Sequence, residues 1–474
     1  MKNRASGILI ENGKILLIKR IKDNNEYYVI PGGGIEANEN IIDATKRELK
    51  EEANIDVKLI SDNPLYTLNE TDRCQYFMLV EKVSGEIGIG SGPEYTNNNN
   101  GIYLPIMIDL KDIINENINL KPNEFKNELI NIINNINKDI PLINSIDIYY
   151  YNLFNKICNK YNLGNYKDYK EITGGLTNKM YKLITDSGEF AIKVINQDNL
   201  LNNPNLYNKI EKSEEIANIA FNNNINSVCA IKYNDKYIQE IDGNNILIYK
   251  WCNGIILKTC ELTLEHVRLL AKELAKLHSI KVSDKVDIIK YNKIDYRKYY
   301  KLLKDNNEEW SLLFREKIDD LVKLYDKVYD SYLKLSNQIS YVHKDFNRRN
   351  VLWNNNIPYI IDWETATIDN PSIDFFNSAW FLTNDVQKDK YDVFASEYFS
   401  IMKLEDSINI STYASIIEEC NWLEFSLKRA LSMHSNDIEE IKLGKNSING
   451  SLTEILNYYD KIPLMIEIIN KINK

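Results

Sequence analysis

Glu48, Glu51 and Glu52 stand at helical spacing i, i+3 and i+4, so a helix there projects three carboxylates from one face. Like charges this close repel, and hard oxygen donors of this kind suit Mg2+, with Mn2+ as a substitute. Upstream, Gly33 and its neighbours let the backbone turn tightly and approach a ligand, and Arg47 is placed to hold one carboxylate. A metal cluster that binds a diphosphate is the chemistry this supports. A glutamate run alone is usually a solvated helix face. What argues otherwise is the joint spacing Gly33-x5-Glu39-x7-Arg47-Glu48-Leu49-x-Glu51-Glu52.

A second group lies far downstream. His343-Lys344-Asp345 is followed by Asn350, and Asp362 comes at the end of an apolar run, Ile360-Ile361. Phosphoryl transfer from a nucleotide needs cations on the phosphates and an acceptor for the attacking hydroxyl proton. Asp345 suits the acceptor role, Asn350 and Asp362 suit Mg2+, and His343 suits bracing of the loop. His-x-Asp in a turn is common, so the upstream residues decide the matter. Ala191-Ile192-Lys193-Val194 reads as a strand whose lysine reaches ATP phosphates, and a helix follows on which Glu214 shares the apolar face of Ile210, Ala217 and Phe221. Glu211 and Glu215 compete with Glu214 for the partnership with Lys193. Thr173-Gly174-Gly175-Leu176-Thr177, just before a hairpin, supplies a phosphate cover through Gly174, Gly175 and Thr177.

The elements that must position these groups are legible from periodicity. Ile8–Ile10, Ile15–Ile18 and Tyr27–Ile30 read as strands parted by turn signals, Asn40–Ala53 as a helix, and Val57–Ile60 and Tyr76–Val80 as further strands. A helix over Asn123–Asn137 closes this region. A second begins with a helix around Ile146–Tyr161, then a hairpin, Tyr181–Thr185 and Glu189–Ile195, a helix over Leu206–Phe221, and a strand at Ile246–Trp251. From Leu262 onward helical spacing dominates.

The first constellation resembles the box of the Nudix hydrolases, Gly-x5-Glu-x7-Arg-Glu-U-x-Glu-Glu-x-Gly-U, where U is aliphatic. Asn54 departs from it by standing where the last glycine is expected. Asn is the residue that best replaces Gly in a left-handed helix terminus, so the box keeps its chemistry. The resemblance implies an α/β/α sandwich that hydrolyses a nucleoside diphosphate linked to another group. It makes Glu51 and Glu52 metal ligands, Glu48 a ligand or the base, and Gly33 a carbonyl donor. Such enzymes often add an acid from a later loop; Glu81, Glu86 and Glu94 all stand open, with Glu94, after Pro93, put first.

Residues 146–474 resemble the aminoglycoside phosphotransferase and choline kinase family of small-molecule kinases, and Gly-Gly-Leu-Thr-Asn at 174–178 the choline kinase type in particular. Leu274-Ala275-Lys276-Leu277-His278-Ser279, Asn370-Pro371-Ser372-Ile373-Asp374 and Trp422-Leu423-Glu424-Phe425 extend the likeness. It implies a protein-kinase-like bilobal fold with a largely helical C-lobe, and an adenine-holding hinge near Tyr249-Lys250-Trp251-Cys252. No Ala-Pro-Glu element or long activation segment follows Asp362, which favours a small-molecule kinase over a protein kinase. Members often phosphorylate cationic alcohols such as choline, ethanolamine, thiamine or aminoglycosides. Asp345, Glu364 and Asp374 offer acids, and Trp363, Trp380 and Trp422 offer rings for an ammonium group. Each tryptophan taken singly reads as readily as a core residue.

Composition bounds the rest. The 474 residues allow two or three domains at roughly 150 each. With 58 Lys plus Arg against 68 Asp plus Glu, 58 − 68 gives −10, which excludes a chain-wide nucleic-acid footprint. No run approaches the roughly 18 apolar residues of a membrane span, and no signal-like segment opens the chain. Six scattered cysteines without a Cys-x-x-Cys pair fit a reducing cytoplasm and no structural zinc.

The expectation is therefore a two-domain α/β (α+β) cytoplasmic enzyme. Residues 1–139 form the Nudix domain, and 140–474 form a kinase-like domain with its N-lobe at about 146–249 and its C-lobe at about 253–474. It hydrolyses a nucleoside diphosphate-linked compound and phosphorylates a small, cationic alcohol, using Mg2+ and ATP or GTP. Its partners are small molecules and nucleotides, with no nucleic acid or membrane, and the oligomeric state stays open. The alternatives are an antibiotic kinase of the aminoglycoside type, or a kinase regulated by a nucleotide-sensing Nudix domain that does not hydrolyse.

Overall fold

A computed structural model describes residues 3–22, 25–70, 73–92, 95, 101–115, 117–136, 145–172, 178–196, 200, 203, 205–282, 290–433 and 437–472. The chain divides into two compact units, one of Met1–Gln197 with Gln239–Leu247, the other of Asp198–Ile238 with Ile248–Lys474. The architecture is mixed α/β, rich in sheet at the N-terminal side and largely helical towards the C-terminus. Among the described residues no helix is long and apolar enough to cross a membrane.

The first unit opens with β1 (Arg4–Glu11), β2 (Lys14–Lys22), β3 (Asn25–Val29), β4 (Gly32–Gly34) and α1 (Ile41–Ala53). There follow β5 (Asp56–Leu59), β6 (Tyr66–Asn69), β7 (Cys74–Ser84), β8 (Ile102–Asp109), α2 (Leu110–Ile114), β9 (Leu120–Lys121) and α3 (Asn123–Ile136). The strands form a nine-stranded sheet in the order β5-β7-β1-β2-β3-β9, with β4 on β1, β6 on β7 and β8 on β2. Successive side chains of a strand point to opposite faces. Accordingly Leu9, Leu16 and Val80 meet Leu49 and Ala53 of α1 on one side, while Ile8, Ile10, Leu17 and Phe77 meet Phe125 and Leu129 of α3 on the other. The result is a sheet with helices on both faces, its Phe77 and Phe125 rings stacked at 4.1 Å.

The same unit continues with α4 (Ser145–Tyr161), β10 (Tyr166–Ile172), β11 (Lys179–Thr185) and β12 (Glu189–Val194). After α5 (Leu206–Asn222), which belongs to the other unit, come β13 (Gln239–Ile241) and β14 (Asn244–Lys250). A five-stranded sheet runs β10-β11-β12-β14-β13. Helix α4 touches both sheets. Its Ile148 is buried in the core beneath the nine-stranded sheet, while its Tyr150 and Phe154 pack on Tyr169 of β10 and Tyr181 of β11.

In the second unit, α5 precedes α6 (Leu264–Ser279), α7 (Tyr296–Leu303), α8 (Glu309–Glu316) and α9 (Ile318–Tyr332). Short strands β15 (Ser340–Val342), β16 (Val351–Asn354), β17 (Ile357–Ile360) and β18 (Thr367–Asp369) pair as β15 with β18 and β16 with β17. The chain then runs through α10 (Pro371–Leu382), α11 (Lys388–Ile401), α12 (Ile408–Ala414), α13 (Ile417–Ala430) and α14 (Ile438–Ile472). One core built from Val267, Leu274, Phe375, Tyr398, Leu423 and Leu452, among others, joins these helices and carries the two strand pairs.

Candidate active sites

Helix α1 is delimited by two asparagines. The Asn40 side chain caps its start by accepting from the Asp43 amide, and Asn54 ends it in the left-handed region at φ 58°, ψ 30°. Between them, Arg47 gathers the acids: Nε and Nη2 donate to Glu39 at 2.8 and 2.9 Å, and Nη1 to Glu48 at 2.8 Å and Glu51 at 3.1 Å. Nη2 also reaches the Gly34 carbonyl at 3.0 Å. Glu52 turns the other way and accepts from the Gly32 amide at 2.7 Å. A Cβ on Gly33 would sit 2.3 Å from Glu48 Oε1, so only glycine leaves that carboxylate its place. Burial pushes the Glu48 carboxyl above its usual range, against the pull of Arg47.

Glu48, Glu51, Glu52 and the Gly33 carbonyl make an all-oxygen donor set that fits a hard divalent cation in chemistry. Among the described residues no three acidic, His or Cys side chains are already gathered as a metal cluster, and Arg47 holds the intervening position. Of the additional acids, Glu81 is exposed and pairs with Lys58 at 3.1 Å, and Glu86 is exposed after β7. Glu94 lies outside the described residues.

In the second unit, the loop after β15 presents Asp345 with both oxygens engaged. Asn347 Nδ2 donates to Oδ1 at 2.5 Å and Asn350 Nδ2 to Oδ2 at 2.7 Å. Asn350 also reaches the Asp345 carbonyl at 2.9 Å with that amino group, and its Oδ1 carries no hydrogen bond among the described residues. Burial, with the Asp362 charge adding to it, raises the Asp345 carboxyl. His343 is fully buried, and burial lowers its pKa, so the ring is neutral. Its Nε2 lies 3.2 Å from the Ile361 carbonyl and its Nδ1 accepts the Asp345 amide at 3.3 Å, which assigns the proton to Nε2. Asp362 ends the β17 segment in the left-handed region at φ 59°, ψ 61°, and is exposed.

Asp374 has a different place from the substrate-facing one expected for it. It is buried at the start of α10, where Oδ2 accepts from the His343 amide at 2.8 Å and His278 Nε2 lies at 3.1 Å, while Oδ1 accepts from the Lys344 amide at 3.0 Å. Burial works to raise this carboxyl, yet these hydrogen bonds hold it below its usual range. Asp374 therefore braces the loop from behind. Trp380 is likewise corrected: it is 1% exposed, packs on Tyr458 at 4.8 Å and donates to Glu454, because α10 is apolar all round and lies in the core. Trp363 is buried against His343 at 4.7 Å. Trp422 is 48% exposed and stacks near Phe425 on the surface of α13. Glu364 is half-buried in the turn after Asp362.

Sequence reasoning missed the cations and acids around that loop. Lys344, in the left-handed region at φ 65°, places its ammonium 2.8 Å from Asp369, 2.7 Å from Glu418 and 3.0 Å from the Tyr291 hydroxyl. Burial opposes that charge, but Glu418 and Asp369 prevail and raise its pKa. Next to Glu418, Glu419 is pushed up to about 7 by burial and by the charges of Glu454, Glu418 and Asp345. No spacing rule links these residues, since they come from separate helices and strands.

Glu214 is the buried acid of α5: it accepts from the Ala230 amide at 2.9 Å and the Tyr249 hydroxyl at 2.6 Å. Glu211 instead accepts from the amides of Tyr237 and Ile238, and Glu215 from Lys232 and the Tyr237 hydroxyl. Trp251 donates to Asn253 at 2.9 Å. Lys193 lies on β12, in register with Met180 of β11. Gly174, Gly175 and Thr177 lie outside the described residues.

Two family models match this chain. One, the phosphotransferase enzyme family, covers residues 168–405, half of the chain, and the other, the NUDIX domain, covers residues 1–98. The chain belongs to the phosphotransferase enzyme family and carries a Nudix domain ahead of it. It is an enzyme that phosphorylates a hydroxyl group and bears a hydrolase domain. Solved structures similar to it include a spectinomycin phosphotransferase in complex with ADP and spectinomycin, at 16% identity and a TM-score of 0.46, covering 63% of this chain and 94% of that one. An ethanolamine kinase of Plasmodium vivax is 17% identical with a TM-score of 0.43, covering 72% and 92%. A choline kinase of Cryptosporidium parvum Iowa II is 16% identical with a TM-score of 0.43, covering 67% and 98%. No curated protein matches the chain.

Proposed function

We propose that the chain is a bifunctional enzyme: a kinase that transfers the γ-phosphoryl group of ATP or GTP to a hydroxyl of a small cationic molecule, and a hydrolase of nucleoside diphosphate-linked compounds. The observation that carries the kinase assignment is Asp345, held by Asn347 and Asn350 on a loop that Asp374 fixes through two backbone amides. In this reading Asp345 takes the proton of the acceptor hydroxyl. Asn350, its amino group donated to Asp345, keeps Oδ1 for Mg2+, and Asp362 is the second ligand. Lys193 and Glu214 serve the nucleotide phosphates, with Gly174, Gly175 and Thr177 as their cover and Tyr249–Trp251 as the hinge. In the hydrolase, Gly33, Glu48, Glu51 and Glu52 hold Mg2+ or Mn2+, which when bound neutralises phosphate charge and acidifies water. Glu48 would serve there as a further ligand or as the base for the attacking water.

A cationic acceptor is supported by the excess of acid near Asp345: Lys344 answers Glu418 and Asp369, while Glu419 has no hydrogen bond or ion pair among the described residues. Choline, ethanolamine, thiamine and aminoglycosides are accordingly the acceptors to test first, with ATP and GTP as donors. An ADP- or GDP-release assay against that panel, run with the native chain and with Asp345→Asn, tests the kinase. Turnover that ignores the substitution sinks the assigned base. Hydrolysis of ADP-ribose and UDP-sugars by the native chain and by Glu51→Gln tests the other half.

A second reading, a Nudix domain that senses nucleotide and regulates the kinase, is favoured by α4, which is packed into the cores beneath both sheets of the first unit. Kinase turnover that responds to ADP-ribose without consuming it supports regulation over hydrolysis.

A further inference from the structure

On the face of the nine-stranded sheet that carries α1, β2 presents a side chain with no role in the glutamate box. Leu16 packs on that face, and Arg20, four residues on, points the same way. The antiparallel register sets Arg20 directly opposite Tyr103 of β8 and Tyr27 of β3, so three side chains form a row across three strands beside the catalytic helix. The Arg20 guanidinium stacks over the Tyr103 ring, 4.5 Å from its centroid, with Nη2 3.9 Å from Glu52 Oε1. Its Nε is buried with no hydrogen-bond partner among the described residues.

Charge is unbalanced at this spot. Arg4 comes in from β1, its Nη2 2.6 Å from the Gly32 carbonyl, near enough that the two guanidiniums repel. The Glu52 carboxylate acts on both, with Glu48 adding to it at Arg4, and Glu52 also accepts the Gly32 amide. The remaining box acids are matched by Arg47. A planar fork stacked on an aromatic ring, short of an acceptor and next to a second cation, fits a phosphate oxygen pair. Tyr27, half-buried at the other end of the row, makes no ring contact among the described residues and offers a face for a base.

We infer that Tyr103, Arg20 and Tyr27 form the substrate platform of the hydrolase: Arg20, held by Tyr103, grips a phosphate of an organic diphosphate, and Tyr27 stacks on its nucleobase. This rests on the hydrolase reading of the glutamate box, and the test separates the two. Equilibrium binding to the full chain, with Mg2+ fixed, uses a methylene-bridged ADP-ribose that cannot be cleaved and methylenediphosphonate, which lacks the nucleoside. Arg20→Ala weakens both probes by roughly tenfold or more, and Arg20→Lys, which keeps the charge without the fork, recovers little. Tyr27→Ala weakens only the nucleoside-bearing probe. Native-like binding by Arg20→Ala, binding of neither probe by the native chain, or equal loss of both with Tyr27→Ala overturns the platform. Hydrolysis is scored separately with ADP-ribose: binding through Arg20 without cleavage removes the hydrolase and keeps the platform, whereas cleavage indifferent to Arg20 removes the platform and keeps the hydrolase.

Discussion

Glu39, just before α1, and Glu48 and Glu51 on it share one guanidinium, that of Arg47, and the Glu51 side chain is 35% exposed. Asp369, Asp374 and Glu418 come from three separate segments and are met inside the protein, Asp374 by His278 and backbone amides, Asp369 and Glu418 by Lys344. An exposed carboxylate that loses its partner is resolvated by water, whereas a buried one is stranded without solvent. Substitution of Glu51, the most exposed of the first group, should therefore register in catalysis with little change in stability, and substitutions behind the Asp345 loop should register in stability first.

The largest effect is expected at Asp374. Asp374→Ala leaves the His343 and Lys344 amides and His278 without their acceptor, a loss of about 3–5 kcal/mol for breaking a buried polar network. Denaturant unfolding followed by tryptophan fluorescence measures it, since Trp363 packs on His343; an unchanged midpoint removes the brace. Asp345→Asn reverses the pattern. Its side chain is half-buried and keeps one of its two amide hydrogen bonds, since the new amino group cannot accept, so the fold should persist while phosphotransfer falls by about a hundredfold or more.

Glu51→Gln comes next, with diphosphate hydrolysis down roughly 10- to 100-fold and the unfolding midpoint within error of the native value. A matched fall in stability would mean that the acids on α1 are as structural as Asp374, and the contrast between the sites would fail. Smaller still is Asn54→Ala. Any residue with a Cβ pays sterically for φ 58° at the helix terminus, and Asn bears it better than Ala, so a loss of about 1 kcal/mol is expected, with Asn54→Gly neutral or better.

The same contrast explains what the sequence disclosed. The α1 site was legible because every member lies on one helix or the turn before it, where spacing alone dictates the shared face. Lys193, Glu214, Asp345 and Asn350 were legible as motif positions for the same local reason. Lys344, Glu418 and Glu419 were not, because only tertiary packing brings α13 to the loop after β15. Asp374 was found, but as a ligand acid, since a motif gives a residue's position and not the direction its carboxyl faces. Among the elements, β10 escaped notice because an edge strand with exposed Lys167, Asp168, Lys170 and Glu171 shows no apolar alternation. Strand β8 hid behind Pro105, which a strand pairing on one side tolerates. Of the strands that were anticipated, β1, β2 and β7 carry the longest buried apolar runs.

The smallest expected effect lies at Glu419, where neither pattern holds: the carboxyl is partly buried, and other acids act on it with no ion-pair partner among the described residues. Burial and the charges of Glu454, Glu418 and Asp345 raise it from the usual 4.5 to about 7 in the folded chain. Between those two values the folded state binds more protons than the unfolded one. The stability this group contributes is therefore fully present below the lower value and is lost as pH rises through about 7. Glu419→Gln should match the native chain near pH 4.5 and exceed it above pH 7, by on the order of 1 kcal/mol once solvent relaxation is allowed for. Parallel stability curves for the two proteins would show that the charge is already balanced. A cationic acceptor should act in the same sense as the substitution, stabilising the native chain more at pH 8 than at pH 5, because only the ionised Glu419 attracts it, and Glu419→Gln should erase that difference.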